Sequence, residues 1–305
     1  MPVHNGELFL RQAVESVLTQ SYRDFEFIIV NNCSTDSSSR IINSFQDKRI
    51  KIVNEQDCHP VAAYNRGFTE SKGDIIFIAD QDDICDPERI NNQLEYIEKT
   101  NADICGSFIN IIDIKGKTIG RLALPVKNEE IKNDLLFKNY TIFNSSVCLR
   151  KEIFQSIGYF EKEYFPSADY EFFLRAVRNF NFCNVPQYLY SWRKHPSQIS
   201  AGKLAAQKST MRISFSYLDN TIKNKSSGEY FLKKGLVYYY NDHLLKSLFY
   251  FLNGIFAGKI NKKLIRYILI ILILGLPLKL YRKSDLIYSD HFKLLKKIFD
   301  RIIRL

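Results

Sequence analysis

Short apolar runs that each end in a cluster of polar residues limit the folds open to this chain most strongly. Phe25–Val30 is apolar and ends in β-branched residues, and the polar residues 31–36 follow it at once. Asp74–Ala79 is a second run of the same kind, and it leads into Asp80-Gln81-Asp82-Asp83. Apolar runs of this length bounded by turn residues are typical of buried strands. The sequence therefore predicts two core strands whose far ends carry chemically useful side chains.

Helical and extended patterns alternate around these two runs. Apolar pairs at helical spacing predict helices over residues 7–19 and 61–71, and Asp-Pro at 86 and 87 begins a helix to about residue 99. Residues 49–53 and 103–113 are predicted strands. This alternation predicts an α/β fold, doubly wound around a mainly parallel sheet.

Ligands in such sheets bind beyond the carboxyl ends of the strands. The polar residues 31–36 and 80–83 both lie at such ends. We therefore expect these two clusters to line one site.

Charge divides the chain in two. Residues 1–200 hold 23 lysine and arginine against 27 aspartate and glutamate, whereas residues 201–305 hold 20 against 6. A uniform basic patch would indicate nucleic acid, which this uneven distribution does not favour. We predict a catalytic domain over 1–200 and a basic, helical C-terminal extension over 201–305. We expect that extension to contact an anionic membrane surface, so that the protein is cytoplasmic and peripheral on the inner face of the cell membrane.

Tyr267–Leu278 is an apolar run inside this basic region. Its 12 residues are fewer than the roughly 17–25 that a spanning helix needs. Basic residues stand on both sides of it. We interpret the run as an interfacial anchor, with a buried packing helix as the alternative.

Six cysteines occur, at positions 33, 58, 85, 105, 148 and 183. They form no C-x-x-C pair, and their spacing to the histidines fits no zinc site. We expect reduced thiols in the core or in loops, as in a reducing compartment.

The strongest local signal for chemistry is the quartet at 80–83. Three carboxylates in four positions repel one another, and a bound cation relieves that repulsion. Carboxylate oxygens suit Mg²⁺ or Mn²⁺, ions that often bridge protein acids to substrate phosphates. A solvated acidic turn before the next helix is the alternative, and the quartet alone does not decide between them.

Four segments of the chain carry a family resemblance as a set. They are residues 1–38, residues 62–68 (AAYNRGF), residues 73–90 (GDIIFIADQDDICDPERI) and residues 167–176 (SADYEFFLRA). In this order and at these separations they resemble the inverting family 2 glycosyltransferases with the GT-A fold, over roughly residues 1–200. The resemblance implies transfer of a sugar from a nucleotide-sugar donor to a glycan or lipid-linked acceptor in cell-surface polysaccharide synthesis.

The resemblance also implies roles for individual residues on the donor side. Pro2, Val3 and His4 match the loop after the first strand, whose backbone lies along the nucleoside. Asn32 stands at the position that faces the base, and Asp80 at the first acid of the D-x-D motif, near the ribose. Asp83 would assist either by supporting the neighbouring site residues from behind or as a sugar contact.

The remaining roles concern the metal and the reaction. Asp82 matches the acid that holds a Mn²⁺ or Mg²⁺ ion, and His195 resembles a late histidine that reaches the metal or the pyrophosphate. Asp169 matches the general base. A single displacement at the anomeric carbon needs one base for the acceptor hydroxyl and a cation for the leaving diphosphate, so one base suffices.

The chain departs from the family pattern in three places. Asn31-Asn32 replaces the commoner Asp-Asp, Ala168 stands where glutamate is frequent, and Tyr64 stands where many members have arginine. These departures keep open a degenerate, non-catalytic member that acts as a membrane-bound scaffold. A nucleotidyltransferase is the other alternative, which the lack of a glycine-rich phosphate loop disfavours.

The first strand of the family normally supplies several apolar residues before this loop, yet here Met1 directly precedes Pro2. We therefore expect a truncated or absent strand beside Phe25–Val30. We also expect the 305-residue form to be unstable or inactive, and a form extended upstream to be competent.

Overall fold

The structure is a computed structural model that describes residues 1–257 except 138–139, 200–202, 223–224, 226 and 241–242. The predicted anchor Tyr267–Leu278 lies outside the described residues. The chain forms two compact units. The first consists of Met1–Leu135 and Asn139–Thr210, and the second of Leu136–Lys138 and the chain from Met211 onward.

A three-stranded parallel sheet begins the first unit. Its strands are β1 (Pro2–Val3), β2 (Phe27–Asn32) and β3 (Ile50–Glu55), in the order β1-β2-β3. Helices α1 (Leu10–Leu18), α2 (Ser38–Asn43) and α3 (Pro60–Glu70) accompany these strands along the chain. Because all three strands run in parallel, the polar residues after β2 and β3 meet at one edge.

The second sheet has six strands, which are β4 (Ile75–Phe77), β5 (Ile84–Cys85), β6 (Ile104–Ile112), β7 (Thr118–Leu122), β8 (Cys148–Arg150) and β9 (Phe182–Arg193). Its order is β4-β8-β6-β9-β5, with β7 beside β6. Only β6 and β9 are parallel here. The α/β class is confirmed, but the sheet is mixed rather than mainly parallel, because strands after β4 return beside one another in antiparallel pairs.

Seven further helices complete the described residues. Four belong to the first unit: α4 (Arg89–Thr100), α5 (Asn128–Leu135), α6 (Glu152–Ile157) and α7 (Ala168–Ala176). Helix α8 (Lys203–Thr221) begins in the first unit and continues into the second, which also holds α9 (Gly228–Tyr240) and α10 (Leu244–Phe256). Val237 and Phe251 are fully buried in the core of the second unit.

Helix α1 shows how the sequence pattern builds the first core. Leu10, Ala13, Val14 and Val17 recur at helical spacing and are all buried. They belong to or pack beside a cluster that includes Ile29 of β2. Burial of a Leu or Val side chain stabilises a fold by about 1.5–3 kcal/mol, so this face fixes α1 on the sheet.

The strand beside β2 is short, as expected. β1 has two residues, and it pairs only with Val30 and Asn31. Next to it lies a cavity of ≈ 450 Å³, whose lining includes Phe27 and Ile28 of β2 and Ile76 of β4. The Met1 amine donates to the Ile28 carbonyl oxygen at 2.9 Å, and burial lowers the pKa of this amine to about 6.

The prediction of six reduced thiols is wrong for two of them. Cys33 and Cys58 form a disulfide, with their Cα atoms 5.4 Å apart. They follow β2 and β3, two adjacent parallel strands, so the loops that carry them meet even though 25 residues separate them. Cys85, Cys105, Cys148 and Cys183 are free and buried, as predicted for core thiols.

Candidate active site

His4 joins the two polar clusters at the end of β1. Its backbone N–H donates to Gln81 Oε1 at 2.8 Å, and Gln81 Nε2 donates to its carbonyl oxygen at 3.0 Å. Its ring Nδ1 lies 2.6 Å from the Asn32 carbonyl oxygen. A Cβ at Gly6 would come within 2.5 Å of Gln81 Oε1, so only glycine fits there without a shift. The predicted proximity of residues 31–36 and 80–83 is confirmed.

Pro2 and Val3 do not lie in the loop where the family pattern predicted them. They form β1 itself, and the Val3 side chain is fully buried in the core. The backbone is held here by pairing with Val30 and Asn31, so these two residues are a strand rather than a loop. The loop that borders the site therefore begins at His4.

Asn32 is a buried residue with one free hydrogen-bonding atom. Its side chain is 2% exposed, and Nδ2 donates to the Cys58 carbonyl oxygen at 3.3 Å. A carbonyl can only accept, so the amide nitrogen must face it and Oδ1 points elsewhere. Among the described residues Oδ1 has no partner. Such an atom is costly unless a ligand satisfies it, because desolvation of an unpaired acceptor costs about 1–3 kcal/mol.

Asp80 is held by two hydroxyl groups. Tyr64 donates to Oδ1 at 2.5 Å, and Ser145 donates to Oδ2. Burial raises the pKa of Asp80, the neighbouring Asp82 carboxylate raises it further, and the two hydroxyls oppose the rise. These two bonds fix the carboxylate of Asp80 in place. Its oxygen atoms face Tyr64 and Ser145, whereas Asp82 faces His195.

Asp82 faces His195 from 113 residues away in the chain. Asp82 Oδ2 lies 2.8 Å from His195 Nε2, and Ser197 Oγ lies 2.9 Å from the other ring nitrogen. The His195 side chain is 9% exposed and that of Asp82 is 21% exposed. The ring of Phe9 lies 5.0 Å from the imidazole, centroid to centroid. The fold thus brings the two sequence-predicted metal residues into direct contact.

Asp83 is buried and bonded within the fold. It is 3% exposed, and its Oδ1 accepts the backbone N–H of Arg193 at 2.7 Å. Burial raises the pKa of Asp83 well above its usual range, and Asp82 and Asp80 add to the rise. The Oδ1 atom thus supports β9, and an indirect role for Asp83 behind Asp82 fits this position better than direct contact with a sugar.

Asp169 lies in the first turn of α7 and is partly exposed. Burial raises the pKa of Asp169 to about 6, the backbone N–H groups of Tyr170 and Asp169 oppose this, and the charge on Asp80 adds to it. Asp80 and Asp169 are thus close enough for their charges to interact. A carboxylate with this pKa is ionised at pH 7 and can accept a proton.

Sequence reasoning missed three residues of the site. Ser145 gave no signal, since it stands alone in a segment without a motif. Tyr64 was noted only as a departure, although it contacts Asp80 directly. Arg193 stands two positions before His195, and its role depends on contacts with distant segments that the sequence does not reveal.

The residues present fit a divalent cation. Two ligands on adjacent corners of an octahedron, with bonds of about 2.0–2.2 Å, stand about 3 Å apart. The 2.8 Å between Asp82 Oδ2 and His195 Nε2 is close to that spacing. Within the described ranges no three His, Cys, Asp or Glu side chains converge on a point. The pair would therefore hold an ion only together with water and the phosphates of a substrate.

A family assignment follows from comparison with known proteins. Residues 1–158, just over half of the chain, match the family model described as Glycosyl transferase family 2. The chain belongs to this family. The relative MJ1057, an uncharacterized glycosyltransferase of Methanocaldococcus jannaschii, is 31% identical over 194 residues, which are 61% of this chain and 66% of the relative. The chain thus spans just under two thirds of that protein's length.

The name of a second relative states the biosynthetic process in which that relative acts. The O-antigen biosynthesis glycosyltransferase WbnJ of Escherichia coli is 28% identical over 211 residues, which are 67% of this chain and 82% of WbnJ.

Solved structures show the GT-A fold. S. aureus TarS 1-349 in complex with UDP-GlcNAc superimposes with a TM-score of 0.60 at 17% identity, over 88% of this chain and 77% of that one. The mannosyltransferase PcManGT from Pyrobaculum calidifontis in complex with GDP-Man and Mn²⁺ gives a TM-score of 0.55 at 14% identity, over 92% and 79% of the two chains. The fold prediction is confirmed.

Proposed function

We propose that this family 2 protein is an inverting, metal-dependent glycosyltransferase that takes its sugar from a UDP-sugar. The contact between Asp82 and His195 carries the proposal. These residues are 113 positions apart in the chain, and both have the chemistry of divalent-cation ligands. The contact lies beside Asp80 and near Asp169, so a cation site, a donor-side acid and a base occupy one place.

The free Oδ1 of Asn32 supports a base that offers a ring N–H. The imino N–H of uracil, thymine or guanine can donate to this atom, whereas cytosine and adenine present only a bare ring nitrogen there. The amide nitrogen donates one of its two N–H groups to the Cys58 carbonyl oxygen, and this bond fixes which way the amide points. Among solved neighbours with the same fold, TarS was determined with UDP-GlcNAc and PcManGT with GDP-Man, and both of these bases offer a ring N–H.

The proposed reaction is a single displacement. The acceptor hydroxyl oxygen forms a bond to the anomeric carbon while its proton passes to the Asp169 carboxylate. The bond between the anomeric carbon and the diphosphate oxygen breaks, and its electrons leave with the diphosphate. One displacement inverts the anomeric configuration. A divalent cation at Asp82 and His195 would stabilise the negative charge that develops on the leaving diphosphate.

The acceptor is proposed to be a glycan or a lipid-linked saccharide of a cell-surface polysaccharide. The O-antigen role named for WbnJ supports this class. The 20 basic residues against 6 acidic ones in residues 201–305 support binding to anionic lipid at the inner face of the membrane. In the part of the chain that the structure describes, none of the helices has the length and apolarity to cross a bilayer.

A donor-hydrolysis screen tests the proposal. Purified protein is incubated with UDP-, GDP-, dTDP- and CDP-sugars, each with Mn²⁺ and with EDTA, beside the Asp82→Asn variant. We expect hydrolysis of UDP-sugars that needs Mn²⁺ and is lost in the variant, and none with CDP-sugars. Absence of turnover with every donor, together with nucleotide binding, would instead favour the non-catalytic scaffold.

A further inference from the structure

We propose that Arg193 is a positioning residue that fixes Asp82 and His195 relative to each other and thereby sets the affinity of the site for a divalent cation. The inference rests on the proposed function. It adds a residue to which the resemblance to the family gave no role. Arg193 would not touch the ion or the substrate.

The guanidinium group of Arg193 holds the backbone of Asp82. Nε donates to the Asp82 carbonyl oxygen at 2.8 Å, and Nη2 donates to Gln12 Oε1 of α1 at 3.0 Å. Nη1 donates to the carbonyl oxygens of Asp113 and Ile114, at 3.2 and 3.3 Å, in the turn between β6 and β7. The residue is 1% exposed, so water does not compete for these bonds. Three separate segments are therefore tied to one planar fork.

The backbone of Arg193 holds the same loop from the other side. Its N–H donates to Asp83 Oδ1 at 2.7 Å. Residues 82 and 83 are consecutive, so one arginine binds the carbonyl of the first and the carboxylate of the second. The direction of the Asp82 side chain is set by these two contacts, because they leave its backbone little freedom.

Phe9 extends the same control to His195. The Arg193 guanidinium carbon lies 4.6 Å from the centre of the Phe9 ring, and the imidazole of His195 lies 5.0 Å from it. The phenyl ring therefore stands in contact with both groups. Arg193 and His195 are also only two residues apart, so a shift of β9 at residue 193 would move the imidazole.

A metal-binding measurement separates this role from a purely structural one. Mn²⁺ binding is followed by the loss of its free-ion EPR signal, with UDP present, in the full chain and in Arg193→Lys. Lysine keeps the charge but offers one point donor instead of a fork. We expect a Kd for Mn²⁺ that rises about 10–100-fold, the usual cost of losing a group that orients a metal ligand. kcat at saturating Mn²⁺ should fall less than kcat/KM at low Mn²⁺.

Two further variants complete the experiment. Arg121→Lys is the matched control. Arg121 lies on the exposed strand β7, where its guanidinium stacks over the ring of Tyr188, so this substitution should leave the Mn²⁺ affinity unchanged. Phe9→Leu tests the contact to His195 while the guanidinium bonds stay intact. This variant should also weaken Mn²⁺ binding, and it replaces Arg193→Lys in the test if that variant does not fold. If the wild type binds Mn²⁺ and both folded variants bind it equally well, the positioning role is refuted and the proposed function stands. If the wild type binds no Mn²⁺ with UDP, the metal step of the proposed function is refuted, and this inference with it.

Discussion

The phenol of Tyr64 donates a hydrogen bond of 2.5 Å to Asp80, at the place where three carboxylates of the site approach one another. Burial raises the pKa of Tyr64 well above its usual range, and Asp80, Asp169 and Asp82 all add to the rise. The hydroxyl is therefore a donor at every physiological pH. It fixes Asp80 but brings no positive charge, so a diphosphate bound here would depend on a cation for charge balance.

Removal of that hydroxyl should weaken donor binding. In Tyr64→Phe, Asp80 keeps only Ser145 of its two hydroxyl partners, and a hydrogen bond to a charged group contributes about 1.5–3 kcal/mol. We expect UDP affinity, measured by calorimetry with Mn²⁺, to fall about 10- to 100-fold. Tyr22→Phe is the control, because the hydroxyl partners of Asp80 are Tyr64 and Ser145 and, among the described residues, Tyr22 makes no hydrogen bond to these carboxylates. Equal UDP affinity in Tyr64→Phe and the wild type would show that Asp80 needs no such support.

Loss of the Asp82 carboxylate should abolish transfer without unfolding the protein. Asp82→Asn keeps the shape of the side chain but removes the charge that faces His195. Cation stabilisation of a leaving group contributes several kcal/mol, so the rate should fall ~10³-fold or more. Product formation with Mn²⁺ and the thermal melting curve are both measured. Full activity in the variant, or in wild type with EDTA, would exclude the metal at this position.

Asp169→Asn should separate catalysis from donor binding. Loss of a general base lowers rates by about 10²–10⁴-fold, whereas UDP binding should be retained. In the wild type, kcat/KM should fall as pH drops through about 6, where the carboxylate becomes protonated. Asp24→Asn, on an exposed loop, is the matched control. Unchanged turnover in Asp169→Asn would limit this residue to a structural role in the first turn of α7.

The same substitution should stabilise the protein at neutral pH. A carboxyl whose folded pKa lies above its unfolded value binds protons more tightly in the native state, so stability falls as pH rises from about 4 to about 6. The ionised form then costs on the order of 1–3 kcal/mol at pH 7, and asparagine avoids this cost. Urea unfolding at pH 7 should therefore show Asp169→Asn to be more stable than wild type. A less stable variant would mean that the carboxylate is held favourably after all.

Reduction of the disulfide should loosen the Asn32 loop. The Cys33–Cys58 bond closes a separation of 25 residues, which in chain-entropy terms stabilises a fold by about 3 kcal/mol. We expect Cys58→Ser to melt at a temperature roughly 6–12 °C lower, since 1 kcal/mol corresponds to about 2–4 °C in a domain of this size. UDP affinity should fall too, because the Cys58 carbonyl orients Asn32. Dithiothreitol should lower the melting temperature of wild type and leave that of Cys58→Ser unchanged.

The sequence by itself determined the strands that end at the site and the polar residues that follow them. The spacing of apolar side chains and the length of each apolar run predict such elements from the local sequence. For this reason β2, β4 and α1 lie within a few residues of their predicted positions. The order of four short segments identified the family. The positions of Asp82 and Asp169 in those segments, together with the later His195, nominated the site before any contact was known.

Only the tertiary structure decided which groups are free to act. Asp83 looks in sequence like its neighbours, but the Arg193 backbone takes its oxygen, and burial makes it part of the fold. The antiparallel pairing of β4 with β8, the disulfide between Cys33 and Cys58, and the fork of Arg193 all join residues between 25 and 181 positions apart. Local propensity carries no information on such pairs, because each is set by which strands become neighbours and by the need to satisfy buried polar groups.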